Sequence, residues 1–319
     1  MEWDTRITRL LHIKYPIIEG ALANIGNAKL AAAVSEAGGL GMITAWTLHT
    51  PDRVRQEIRK AKSLTNKPFA VNLSPAMHPS LPAMLEVAIE EKVSVIETAA
   101  SRATDLGKRV KEAGLIWIHK CDTVRHALAA ERDGADAVCV MGVEGAGLKN
   151  PNMLTTLVTI PLVVKSVKIP VIAAGGIGDA RTFLGALALG ADAVLMGTVF
   201  CAVKECPLSE KHKQALVDAD PYDPRWRIPA LTTPSSEDMQ KVKEASDGEA
   251  AARLVGRAER GGAVIPKEAG IGTASLAIGF IKEILTAKEL IDSIITEAEE
   301  ILTSRGIGGW TLAPKSSAR

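Results

Sequence analysis

The stretch VIAAGGIGDA, residues 171–180, runs four small or apolar residues into two adjacent glycines, Gly175 and Gly176. A second stretch, AVLMGTVF over residues 193–200, is interrupted the same way at Gly197 and Thr198. Without a Cβ, a glycine lets its backbone N–H approach an anion closely, and a helix starting just beyond aims its positive end at the same point. With a helix expected to begin near Asp179, the two glycine ends read as halves of a phosphate grip. A double glycine by itself is equally the mark of a tight turn. The second glycine end is what favours the grip.

The elements that must position these residues repeat along the chain. SEAGGLGMI (35–43), KEAGLIWI (111–118), ERDGADAVCVMG (131–142) and ALGADAVLMG (188–197) each give a helix tail, a glycine suited to a left-handed C-cap, and a short apolar strand. Amphipathic stretches lie between, several opened by a capping residue such as Asn27, Thr50 ahead of Pro51, or Thr123. The expected strands are YPIIEG, LGMITA, FAVNLS, VSVIETA, LIWIHKC, AVCVMG, PVIAAGG and AVLMGTVF. Continuous apolar strands are buried on both faces, so eight βα units predict an α/β fold, a closed (β/α)8 TIM barrel. A doubly wound sheet would carry GxGxxG after its first strand, and EGALANIG does not match. The barrel is expected over residues 1–202. A proline- and charge-rich segment, 203–262, reads as a small lid-like insertion, and 263–319 as the closing helices and a tail ending LAPKSSAR.

Composition narrows the partners. Of 319 residues, 47% are hydrophobic and 24% charged, and 38 basic residues against 37 acidic ones leave a net charge of +1. That provides no field for nucleic acid or an anionic membrane, so the expected partner is a small molecule, with assembly into a homo-oligomer left open. The four cysteines, Cys121, Cys139, Cys201 and Cys206, form no CxxC pair and read as reduced thiols, and the first residues lack the apolar core of a signal peptide. A cytoplasmic location is expected.

Taken in order, RITRLLHIKYPIIEGALA, AAAVSEAGGLGMI, KPFAVNLS, VIAAGGIGDA, AVLMGTVF and the closing GFIKEILTAKELIDSIITEAEEIL resemble the nitronate monooxygenase family, formerly 2-nitropropane dioxygenases. That family is similar to the FMN-dependent enoyl-ACP reductases. The resemblance implies a flavoprotein with FMN at the barrel mouth. It implies that Gly20 and Ala21 lie against the flavin ring, that Asn72 bonds its polar edge, and that Lys120 lies near it. It assigns the phosphate to Gly175, Gly176, Gly197 and Thr198, and counts Ala174 among the cofactor-binding residues together with Gly147, which falls in register in the loop after strand six. An amide suits a ring edge that both donates and accepts, and a cation suits an anionic reduced flavin. In blander roles, Asn72 caps a loop and Lys120 pairs with Asp122 or Glu97.

The chain departs from the family after strand six. A Gly-x-Glu-Ala-Gly-Gly-His loop is usual there, its histidine serving as catalytic base or substrate ligand. This chain has GVEGAGLKNP over 142–151, with Leu148 at the histidine position and Met141 where a glutamine is usual. Proton abstraction needs a group that titrates near the working pH, and leucine has none. Lys149 is the nearest ionisable neighbour and the candidate catalytic residue, unless it is a solvated cation. His119 precedes Lys120, so strand alternation points it toward the helical layer if Lys120 faces the flavin. His49 and His78 follow strands two and three, and no histidine has metal-ligand spacing. Arg225 and Arg227, on either side of Trp226, are candidates for an anionic substrate tail or a pyridine nucleotide phosphate, or else form a solvated hinge.

The function expected from the resemblance is an FMN-dependent oxidoreductase acting through flavin N5 on a nitronate-like or other small organic substrate. NADH or NADPH is a candidate reductant. Two alternatives stand beside it: an NAD(P)H-dependent reductase of an enoyl thioester or quinone, and a Schiff-base lyase or isomerase using Lys120 on a phosphorylated metabolite.

Overall fold

The computed structural model describes residues 1–74, 79–99, 102–146, 153–223 and 274–305. Eight parallel strands run as β1 (Ile17–Glu19), β2 (Gly41–Thr44), β3 (Phe69–Leu73), β4 (Val95–Thr98), β5 (Ile116–Cys121), β6 (Ala137–Met141), β7 (Val171–Ala174) and β8 (Ala193–Met196). Their order is β1-β8-β7-β6-β5-β4-β3-β2, which sets β1 and β2 side by side and makes the sheet a (β/α)8 barrel.

Alternation along each strand divides the apolar residues into two cores. Ile18, Met42, Ala70, Val95, Ile118, Cys139, Ile172 and Ala193 fill the barrel interior. Their neighbours Ile17, Ile43, Val71, Ile96, Trp117, Val138, Val171 and Val194 face the surrounding helices. The interior ends below at α1 (Arg6–Leu11), whose Ile7 and Leu11 join the inner cluster as a plug.

The outer ring consists of α2 (Ala28–Glu36), α3 (Pro51–Leu64), α4 (Leu81–Glu90), α5 (Thr104–Glu112), α6 (Val124–Arg132), α7 (Thr156–Val164) and α8 (Ala180–Ala188). Beyond β8 come α9 (Thr198–Cys201), α10 (Glu210–Val217) and α11 (Ala287–Glu300). The expected caps form, with Asn27, Thr50 and Thr123 each accepting backbone N–H bonds from the first turn of their helices. Of the expected insertion, residues 203–223 are described, and they include α10 with Lys213 and Leu216 buried. Among the described residues no helix is long and apolar enough to cross a membrane.

The repeated GADAV sequences have a structural use. Asp136, just ahead of β6, accepts the Trp117 N–H of β5 at 2.8 Å, and Asp192, ahead of β8, accepts the Val171 N–H of β7 at 3.0 Å. Lys111 and Arg6 pair with the two carboxylates.

The seam between β1 and β2 is built differently from the other seven joints. One bridge, Ile18 with Leu40, takes the place of a ladder. The Glu19 carboxylate accepts the Met42 N–H at 3.0 Å where a peptide carbonyl would otherwise stand. Above it, the loop after β1 laces to β2 through Thr44 N–H to Gly26 O at 2.9 Å and Leu22 N–H to Thr44 Oγ1 at 3.0 Å. Burial pushes the Glu19 carboxyl well up.

Close approach makes one glycine obligatory in this layer. A Cβ on Gly41 would lie 1.8 Å from the Ala31 carbonyl oxygen of α2, an atom fixed in helix backbone. Gly41→Ala is expected to lower stability by about 3 kcal/mol or more, at the upper end of overpacking costs, as measured by denaturant unfolding.

Candidate active site

Strand alternation brings Asn72, Glu97 and Lys120 inward at the C-terminal ends of β3, β4 and β5. Asn72 and Glu97 are register partners, 1% and 0% exposed. The Asn72 Nδ2 donates to Glu97 Oε2 at 2.6 Å. Asn72 Oδ1 and Glu97 Oε1 are buried and have no hydrogen-bond partner among the described residues. Buried polar atoms are rarely left this way, so these two are acceptors awaiting a donor. Burial raises the Glu97 carboxyl, opposed by the nearby Lys120 charge and the Asn72 bond. Lys120 is half-buried, and burial pushes up the Cys139 thiol on its other side.

His119 points the other way, into the helical layer. Its Nδ1 is 2.8 Å from Thr98 Oγ1, which also accepts the Trp117 Nε1–H at 2.8 Å. Burial, reinforced by the charge of His126, lowers the His119 pKa to about 4, so it is neutral in ordinary buffers. Asp122 is engaged with His126 Nδ1 at 2.7 Å, and the carboxyl beside Lys120 is Glu97.

The opposite arc of the mouth, from β7 through β8 to β1, is glycine. Gly175 and Gly176 follow Ala174 with φ of +100° and +72°, a region that side chains rarely enter. Gly20 and Gly197 face each other across β1 and β8, where the Gly20 N–H donates to Met196 O at 2.8 Å and an added Gly20 Cβ would lie 3.4 Å from Gly197 Cα. A Cβ on Gly197 would meet Leu22 Cδ2 alone, at 3.5 Å. Ala21 is partly buried against the inner core. Among the described residues no hydrogen bond takes up the N–H of Gly176, Ile177 or Thr198.

One expectation needs correction on this side. The strand expected over AVLMGTVF stops at Met196, and Thr198 opens the helical turn α9, where Phe200 N–H bonds to Gly197 O at 2.9 Å. α8 begins next to Asp179 as expected, and the Asp179 carboxylate caps it, accepting the Thr182 N–H at 2.8 Å and hydroxyl at 2.6 Å.

Glu144, in the loop after β6, is committed to scaffolding. Its carboxylate accepts the Thr156 N–H at 2.9 Å and hydroxyl at 3.0 Å, and its carbonyl accepts the Leu276 N–H at 3.1 Å. The Thr198 hydroxyl oxygen accepts the Ser275 N–H at 2.8 Å, so the returning chain is fastened to both β6 and β8 ends.

Residues 4–297 match the nitronate monooxygenase family over nearly the whole chain. The chain belongs to that family. The chain is also similar to solved structures. FabK from Thermotoga maritima superposes with a TM-score of 0.78 at 37% identity, covering 94% of this chain and 97% of that one. Nitroalkane oxidase from Streptomyces ansochromogenes superposes with a TM-score of 0.73 at 26% identity, covering 93% and 99%. The (3aS,4S,5R,7aS)-5-hydroxy-7a-methyl-1-oxo-octahydro-1H-indene-4-carboxyl-CoA dehydrogenase of Rhodococcus jostii (strain RHA1) is 36% identical over 211 residues, 66% of this chain and 59% of that protein. The match thus spans less than two thirds of that relative's length.

Of the residues expected at a nitronate monooxygenase site, the fold brings Asn72 and Lys120 to one arc and Gly20, Ala21, Ala174, Gly175, Gly176, Gly197 and Thr198 to the other. Gly147, Leu148, Lys149, His78, Arg225, Trp226 and Arg227 lie outside the described residues. Glu97 was visible in sequence only as a partner for Lys120. The signal for more was an acid at the inward parity of an otherwise apolar strand, VSVIETA.

Proposed function

We propose that this chain is an FMN-dependent oxidoreductase acting on a small organic substrate that is already anionic, a nitronate being the family's example. The carrying observation is the pairing, across one barrel mouth, of open glycine amides with a buried acceptor that lacks a donor. The residues fit the cofactor at both ends. The loop amides at Gly176, Ile177 and Thr198 suit a phosphate, and Asn72 Oδ1 suits a ring N–H. The chemistry such a cofactor supplies is two-electron exchange with an organic substrate.

The chain's own residues account for the rest. Gly175, Gly176, Gly197 and Thr198 would hold the phosphate, Gly20 and Ala21 would leave room for a flat ring, and Asn72 would orient its polar edge. Lys120 would place a cation beside that edge, where negative charge accumulates on reduction. Leu148 replaces the usual base, so a substrate that arrives as an anion needs no proton removed.

A second reading has its own support. The 37% identity to FabK and 36% to a carboxyl-CoA dehydrogenase favour a thioester substrate, with NADH or NADPH as the other redox partner. No observation favours the Schiff-base alternative. Purified protein should be yellow and release FMN on denaturation, and a colourless protein that takes up no flavin would refute the proposal. Anaerobic bleaching by nitronate, against NADH or NADPH reoxidised by an enoyl thioester, separates the two readings.

Asn72→Leu is expected to leave a ring polar group unpaired, at about 1–3 kcal/mol, or roughly 5- to 150-fold in flavin affinity. Flavin titration of the apo-protein measures this, and unchanged affinity would remove Asn72 from the site.

A further inference from the structure

We infer that Glu97 is a positioning residue that locks the amide of Asn72, so that the site selects a flavin edge presenting an N–H donor. The inference rests on the FMN reading above and assigns a role that reading leaves open.

An asparagine amide has one accepting and one donating end, and its orientation follows from its neighbours. Here the neighbour is Glu97, directly across the β3–β4 pair, buried, with Oε2 at 2.6 Å from Asn72 Nδ2. Glu97 Oε2 is the acceptor in that bond, so the donating end of Asn72 is the one turned to it. The accepting end, Oδ1, is left buried and without a partner among the described residues, on a side chain at the inward parity of β3. The groups around Glu97 on adjoining strands are Asn72 on β3, Lys120 on β5 and, beyond it, Cys139 on β6. Burial raises the Glu97 carboxyl, and the Lys120 charge opposes that rise.

The chemical consequence is specific. The oxidised isoalloxazine ring carries a single N–H, at N3, and every other polar ring position accepts. A fixed acceptor in the mouth therefore selects the N3 edge, whereas a freely turning amide would bond N3–H or a ring carbonyl equally well.

The test uses the apo-protein with two probes, FMN and 3-methyl-FMN, the latter lacking the N3 proton, and reads dissociation constants by flavin fluorescence. Wild type should prefer FMN by on the order of 10- to 100-fold, the range for losing one hydrogen bond to a buried group. Asn72→Ala, which removes the acceptor and opens space, should bring the two probes close to equal. Glu97→Gln, whose amide donates as well as accepts, should release the Asn72 orientation and shrink the preference while FMN still binds. If Glu97→Gln fails to fold, Glu97→Leu, which removes the buried carboxylate outright, reads the same preference.

No preference in wild type would overturn the inference with the FMN reading intact. So would a full preference surviving in Asn72→Ala, which would mean rejection by bulk, or one surviving in the Glu97 variant. Failure of wild type to bind either probe would instead overturn the FMN reading on which this rests.

Discussion

Gly176→Asp should purify without flavin. Gly176 sits at φ +72°, and a Cβ there would lie 3.1 Å from Glu144 Cβ, so any side chain starts from a strained backbone against a packed neighbour. A left-handed backbone alone costs an L-residue about 1–2 kcal/mol. The aspartate then adds a negative charge beside the amides proposed for the phosphate, reversing the local preference for an anion. The two effects together are expected to weaken FMN binding by on the order of 100-fold or more. Flavin content after purification measures it, with Gly176→Ala separating backbone strain from charge. Full flavin content in the aspartate variant would mean that the phosphate lies elsewhere.

A preference for preformed nitronate over the neutral nitroalkane is the other large effect expected. General bases contribute about 10²- to 10⁴-fold, and Leu148 has no proton-accepting group. His119 does not replace it, because its ring is turned into the helical layer and bonded to Thr98. Flavin reduction under anaerobic conditions should therefore be at least about 100-fold faster with the nitronate. Leu148→His should raise the rate on the neutral form. Comparable wild-type rates on both forms would make Lys149 the working base and end the argument from Leu148.

The barrel was legible in the sequence because its strands are short apolar runs, each introduced by a helix-ending turn. Gly38, Gly114, Gly134 and Gly190 adopt the positive φ expected at those turns. The opposite facing of His119 and Lys120 followed from parity, a property local to the strand, while the inward placement of Asn72 and Lys120 was what the family resemblance implied. What parity does not give is the stagger between strands, and it is the stagger that sets Glu97 directly across from Asn72. The pairing of Glu144 with Thr156 was hidden for a similar reason, since the two stand twelve positions apart in sequence. Thr198 was read within a strand because AVLMGTVF is a largely apolar run. Tertiary placement over the β8 end made it a helical turn instead.

The uneven seam has a mechanical meaning. Seven joints of the barrel are full ladders, and the eighth, between β1 and β2, is a clasp made of one bridge, a buried carboxylate and a laced loop. A hoop built this way widens at its clasp. Strain applied at the mouth would be absorbed between Gly20 and Thr44, while Asn72, Glu97 and Lys120, on three consecutively laddered strands, keep their mutual spacing. Under such strain the polar arc would be the stiffer jaw of the opening, and the side carrying Gly20 the jaw to give.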